Sequence, residues 1–188
     1  TAQIATLALL AIDLARKNNL ENDAIDMFNE LKKAAMAMEQ LKDQKEHAKT
    51  IADQYLTDVK SCFFIGRQND YAVCLEGALK LKEISYIQAE GYAGGELKHG
   101  PIALIEDGTP VFVLITNERI AKNIRSNAQE VEARGANTCY IVTKGIEHEG
   151  DHWILPKVHP LLTALVSVIP LQLLSYYAAL ARECDVDK

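Results

Sequence analysis

Cysteine, proline and basic residues are all scarce in these 188 residues, and each shortage closes off a class of protein. The four cysteines, Cys62, Cys74, Cys139 and Cys184, include no C-x-x-C pair. A disulfide framework would be denser, so the thiols read as reduced, in a cytoplasmic protein. Five prolines and ten glycines are too few for a collagen-like or low-complexity chain. Twenty Lys and Arg against 26 Asp and Glu leave a net charge of −6, which argues against a nucleic-acid backbone binder with its basic face. Neither G-x-G-x-x-G nor G-x-x-x-x-G-K-[ST] occurs, so both of these Gly-rich phosphate loops are absent. No repeat and no secretory leader is visible, and Thr1 in place of an initiator Met is expected to mark a trimmed or partial chain.

What remains is an ordinary globular composition, 48% hydrophobic and 24% charged. The first sixty residues carry helical spacing. Ile4, Leu7, Leu10, Ile12 and Leu14 form one apolar stripe, with Asn18-Asn19 as its stop. Asp23 caps a second run through Ile25, Phe28, Leu31, Ala35 and Met38, and a third passes through His47, Ile51 and Tyr55. At Ser61 the period changes: Cys62-Phe63-Phe64-Ile65, ended by Gly66, is a buried parallel strand. Tyr71 to Ala89 reads as a helix, followed by a Gly-rich stretch from Gly91 to Gly95. A second strand spans Val111 to Thr116, a helix Glu118 to Arg134, and a third strand Thr138 to Thr143. His152-Trp153-Ile154 is a short edge strand.

Strands alternating with helices imply an α/β fold, a parallel sheet covered on both faces. Ligands in such sheets sit beyond the carboxyl ends of the strands. That directs attention to Gly66-Arg67-Gln68-Asn69-Asp70, to the residues after Thr116, and to Thr143-Lys144. Pro160 to Ala181 carries no formal charge and is long enough to cross a bilayer. Gln172 near its centre and the lack of a flanking basic cluster favour instead a helix buried in the core or between subunits, with no membrane.

Two constellations could carry chemistry. Glu76, Lys80 and Glu83 are four and then three residues apart, so one helix face holds two carboxylates around an ammonium. Partly buried, that is an acid–base device; solvated, it is an ordinary ion-pair ladder. The second is Gly94-Gly95-Glu96-Leu97-Lys98-His99-Gly100-Pro101, where glycines let the backbone approach a ligand closely and His99 could move a proton near neutral pH; a hydrogen-bonded loop histidine fits equally. Arg67, beside a helix start, is placed to meet an anion. Glu147-His148-Glu149-Gly150-Asp151-His152 has two histidines four apart but no helical support and no third ligand, and reads as an acidic surface loop. No metal and no cofactor is expected.

The run Leu75 to Ile87, then Ala89-Glu90, then Gly95 to Pro101, closely resembles the isomerase region of the glucosamine-6-phosphate synthase family, the glutamine–fructose-6-phosphate aminotransferases. Val168 to Tyr176 and Asp185-Val186-Asp187 resemble that family's end. The resemblance runs from about Cys62 to Lys188. It implies the second of two sugar-isomerase (SIS) domains, at 59–188, a three-layer α-β-α sandwich with a five-stranded parallel sheet. Residues 1–58 would be the helical segment joining it to the first SIS domain.

By the same resemblance, Glu83 matches the base that moves a proton between C1 and C2 of a phosphosugar. Lys80 and Glu76 match charged residues around it, and His99 a histidine supplied across a homodimer interface. The partners implied are that phosphosugar, a second copy, and the first SIS and glutaminase domains of a longer chain. The family's Ser/Thr-rich phosphate loop belongs to the first SIS domain, and no such cluster occurs here. Its tail lysine has no match in Lys188. The 188 residues alone are therefore expected to turn over little substrate. The other readings are a non-catalytic module that binds phosphosugars or dimerises, and a sugar-amine deglycase. The proton-shuttle reading further expects Glu83 to face a crevice near the carboxyl edge of the sheet.

Overall fold

Alternate residues of the central strands feed two different cores, which is why each strand reads as an unbroken apolar run. The computed structural model describes residues 2–18 and 27–187. The expected Asp23 cap, Ile25 and Asn19 lie outside them. In β1 (Ser61–Gly66), Cys62 and Phe64 face one core while Phe63 and Ile65 face the other. In β3 (Pro110–Ile115), Phe112 and Leu114 join the first core, and Val111, Val113 and Ile115 the second. Period-two alternation with both faces buried is the signature of a parallel sheet covered on both sides.

The first core is capped by α2 (Met27–Lys42), α3 (Lys45–Leu56), α4 (Asn69–Ser85) and α6 (Thr163–Ala181). The second is capped by α5 (Glu118–Glu132) and by the short 3₁₀ turns at Leu97–His99 and Pro101–Leu104. Among the described residues the sheet has five strands in the order β2-β1-β3-β4-β5, all parallel, with β2 at Gln88–Ala93, β4 at Asn137–Thr143 and β5 at Trp153–Leu155. This is the three-layer α-β-α arrangement expected.

One strand departs from the sequence reading. The expected helix over Tyr71 to Ala89 stops at Ser85, where Tyr86 turns into the left-handed region with φ 60° and its N–H bonds back to Lys82 O. Gln88–Ala93 then forms β2, an edge strand paired with β1 from Ser61↔Gln88 to Gly66↔Ala93. Its mixed composition suits an edge. Gly91 is required there, because a Cβ at that position would sit 2.9 Å from Leu75 N and 3.0 Å from the Cys74 carbonyl. That close approach seats β2 against α4.

The uncharged helix α6 is buried in the domain. Leu165, Val166, Leu171, Leu174, Ala178 and Ala179 are almost fully covered, among α2, α3 and α4. Its length and hydropathy would suffice to cross a membrane, but here its apolar faces are satisfied by protein. The N-terminal helix α1 (Ala2–Lys17) differs. None of its residues is buried, and Ile4, Leu7, Leu10 and Leu14 of its apolar stripe are exposed.

Candidate functional site

Helix α4 starts at the carboxyl edge of the sheet and runs back across it, so its two ends serve different surfaces. Along its outer face Glu76, Lys80 and Glu83 come together as their spacing requires. Lys80 Nζ donates to Glu83 Oε2 at 2.7 Å and stands 3.8 Å from Glu76 Oε1. The hydrogen bond to Glu83, with the charges of both carboxylates, raises the Lys80 pKa above its ordinary value against the opposing effect of burial. The opposite face of α4 is locked. A Cβ on Gly77 would fall 2.5 Å from Leu171 Cδ1, so the ridge rides on a helix pressed against α6.

The position of Glu83 corrects an expectation. It lies thirteen residues along α4 from Asp70, about 20 Å at 1.5 Å per residue, and so stands away from the carboxyl edge. Its side chain is 47% exposed, flanked by Leu75 at 45% and Leu79 at 43%. The carboxyl-edge rule failed because the helix that begins at the edge carries these residues on its last turns. The ridge does border one hollow: Glu76, with Val73, Val168 and Gln172, lines a cavity of about 410 Å³ between α1, α4 and α6.

His99 is not brought to the ridge within one chain. β2 carries the chain back across the sheet between them, about 20 Å over six residues, and His99 emerges exposed on the Leu97–His99 turn. Leu97, 2% exposed, pins that turn to the second core. The glycines before it allow close approach to the protein itself. A Cβ on Gly94 would meet Ile124 Cδ1 at 2.5 Å, and one on Gly95 the Arg67 guanidinium at 2.7 Å. Arg67 in turn donates from Nε to Asn127 Oδ1 at 3.1 Å.

At the carboxyl edge itself, the loops after β1, β3 and β4 enclose a cleft of about 270 Å³. Asp70 closes its floor. Thr116 Oγ1 donates to Asp70 Oδ1 at 2.5 Å and Thr116 N to Oδ2 at 2.8 Å. Burial pushes the Asp70 carboxyl up to about 6, against the lowering effect of those two bonds. Lys157, from the segment after β5, also lines the cleft. The sequence reading missed it, since a lone lysine beyond a three-residue strand carries no local signal.

The Glu147 to His152 loop is only partly the acidic surface loop expected. Asp151 is held by Arg125 through two bonds of 2.8 and 2.6 Å, with the Asp151 side chain 3% exposed. The Arg125 bonds and the His148 N–H hold the Asp151 carboxyl below its usual range in spite of burial. His152 turns inward: its Nδ1 accepts from Tyr140 N at 3.1 Å and its Nε2 meets Tyr55 Oη at 2.8 Å. Burial pushes the His152 pKa down. These residues tie β4 to α3 and α5.

Comparison with known proteins follows the same outline. Residues 55–182 match the SIS domain family. The chain is 62% identical over all 188 residues to the glutamine–fructose-6-phosphate aminotransferase [isomerizing] of Geobacillus kaustophilus, and equally to that of Bacillus subtilis. It spans 31% of the length of each of those relatives. Its structure superposes with a TM-score of 0.82 and 35% identity on the C-terminal domain of glucosamine-fructose-6-phosphate aminotransferase from Francisella tularensis, covering 95% of this chain and 53% of that one. A glucosamine-6-phosphate deaminase from Thermotoga maritima shares the fold at TM-score 0.70 and 24% identity, over 91% of this chain and 49% of the other. With two-thirds of its length matched by one family and its sheet in that architecture, the chain belongs to the SIS domain family.

Proposed function

We propose that this chain is the isomerase part of a glutamine-dependent aminotransferase that converts fructose 6-phosphate to glucosamine 6-phosphate. The observation that supports it best is the ridge on α4, a carboxylate 2.7 Å from an ammonium on a helix clamped by the core, in a chain 62% identical to enzymes of that name. Moving a proton between C1 and C2 of a sugar needs one carboxylate that lifts it and returns it. Glu83 fills that role. Lys80 stabilises the negative charge that develops on the enediolate oxygens, and Glu76 holds Lys80 from its other side.

Half-exposed, the ridge is an incomplete site, and a second surface must cover it. Leu75 and Leu79 beside it, with the bare apolar stripe of α1, are suited to burial against such a surface. The covering parts are a second copy of this chain, which supplies His99 for ring opening, and the first SIS domain, which supplies the phosphate loop. A glutaminase domain delivers the ammonia. Residues 1–58 join the SIS domain at 59–188 to that preceding domain, and the assembled enzyme is a cytoplasmic homodimer. A Glu83→Gln change in the intact enzyme tests this: folding and sugar binding persist while isomerisation is lost. Unchanged turnover would select the non-catalytic module, which the exposure of the ridge also suits.

A further inference from the structure

The edge strand β5 is three residues long, and the residue before it supplies part of its anchorage. His152 holds Tyr140 of β4 twice: His152 N donates to Tyr140 O at 3.0 Å, and the ring Nδ1 accepts from Tyr140 N at 3.1 Å. The other ring nitrogen meets α3. Tyr55 Oη donates to the Thr138 carbonyl at 3.1 Å, so the 2.8 Å bond between Nε2 and Tyr55 Oη is donated by the ring. These contacts admit one protonation state, a neutral imidazole with its proton on Nε2 and a lone pair on Nδ1.

Helix α3 docks on the edge strand through the same neighbourhood. His47 Nε2 donates to the His152 carbonyl at 3.0 Å, and its ring meets Trp153 edge-on at 5.0 Å. Trp153 Nε1 donates to Gln44 Oε1, just before α3, at 2.7 Å. The groups around the imidazole leave little to hold a second proton. From α3 come His47 and Tyr55; from β4 come the Tyr140 ring, parallel to the imidazole at 6.4 Å, and the buried Cys139 thiol. Glu132 of α5 is occupied by Tyr140 Oη at 2.7 Å and Thr138 Oγ1 at 2.6 Å. Asp151 favours a charged ring, but Arg125 already holds both its oxygens. Burial and His47 oppose the charge, burial foremost.

We propose that His152 is an acid-sensitive latch, whose protonation frees β5 from β4 and from α3 while the rest of the sheet stays closed. The second proton has to enter at Nδ1, where the Tyr140 N–H already points. Two donors then face each other, so the ring swings out and its bond to Tyr55 is lost with it. Once free, the imidazole titrates near its ordinary pKa of about 6.5. Each pH unit below that multiplies the open population by up to about ten. The latch acts on the junction between α3 and the sheet, and it holds whether or not the α4 ridge is catalytic.

The test is amide hydrogen exchange of the protein near pH 7.5 and near pH 5, followed residue by residue by NMR and expressed as protection relative to the unstructured rate at each pH. Imidazole nitrogen shifts near pH 7.5 should show a neutral His152 ring protonated on Nε2. On acidification, protection should fall roughly tenfold at Tyr140, whose amide is bound by Nδ1, and at Lys144, whose amide donates to Leu155 O at 2.8 Å. Phe64 in β1 and Phe112 in β3 should keep theirs. His152→Gln, which can still accept from Tyr140 N but cannot titrate, should abolish the fall, and His47→Gln should retain it. A ring protonated on Nδ1 near pH 7.5, protection that does not change, or an equal loss at Phe112 overturns the latch. So does a His152→Gln variant that responds as the parent does.

Discussion

Lys80 Nζ and Glu83 Oε2 meet at 2.7 Å on a helix whose other face is pressed against Leu171 of α6. The pair is rigidly based but exposed, with the two side chains 35% and 47% accessible. Exposed pairs of this kind contribute about 0–1 kcal/mol to stability. Lys80→Gln and Glu83→Gln are therefore expected to change the unfolding free energy by no more than about 0.5 kcal/mol. Urea unfolding of the two variants checks this, and a larger loss would mean that the pair is part of the scaffold.

Two glycines that touch α4 or lie within it are expected to respond differently to alanine. At Gly91 the new methyl would press on backbone, Leu75 N at 2.9 Å and the Cys74 carbonyl at 3.0 Å, and neither can step aside. Gly91→Ala should cost ~3 kcal/mol and loosen β2 from the sheet edge. At Gly77 the methyl meets chiefly the tip of the Leu171 side chain, and alanine gains helix propensity of about 1 kcal/mol. Gly77→Ala should thus cost only ~1 kcal/mol. Thermal unfolding of the two variants side by side gives the order.

Much of this architecture is legible in the sequence, and the exceptions have physical causes. Cys62 to Ile65, Val111 to Ile115 and Thr138 to Thr143 announce themselves because strands buried on both faces admit almost nothing polar. Gln88–Ala93 does not, because an edge strand is half solvated and its Gly91 answers to the backbone of a helix distant in space. The spacing of Glu76, Lys80 and Glu83 correctly places them on one face, but spacing says nothing of which end of the sheet that face serves. The Asp151 pairing with Arg125 is invisible because 26 residues separate the partners.

That pair leads to a third prediction. Asp151→Ala would leave the Arg125 guanidinium, whose side chain is 13% exposed, buried without its counter-charge, and its Nε already lacks a partner among the described residues. Breaking one side of a buried pair costs about 3–5 kcal/mol. Chemical denaturation should register most of that loss.

Asp70 makes stability pH-dependent in the direction opposite to most carboxylates. Its pKa is pushed from 3.8 up to about 6 by burial, so the folded protein binds the proton more tightly than the unfolded chain does. The stabilisation is fully present below about pH 3.8 and is lost as pH rises through about 6, an effect of about 3 kcal/mol. Asp70→Asn should remove this slope between pH 4 and 6. His152 acts the other way in an overlapping window: its pKa is lowered by burial, so its contribution is present above its usual 6.5 and fades as pH falls below that. Stability curves of wild type, Asp70→Asn and His152→Gln separate the two.

The proton transfer assigned to Glu83 can be read without relying on overall turnover. In the intact enzyme, fructose 6-phosphate deuterated at C1 should lose or transfer its label at a rate set by that carboxylate. Glu83→Gln should slow the label's movement by roughly 10²–10⁴-fold while sugar affinity stays within a few-fold of the parent. Label movement at the parental rate in Glu83→Gln would contradict the assignment of the base and, with it, the reading of the α4 ridge as a catalytic surface.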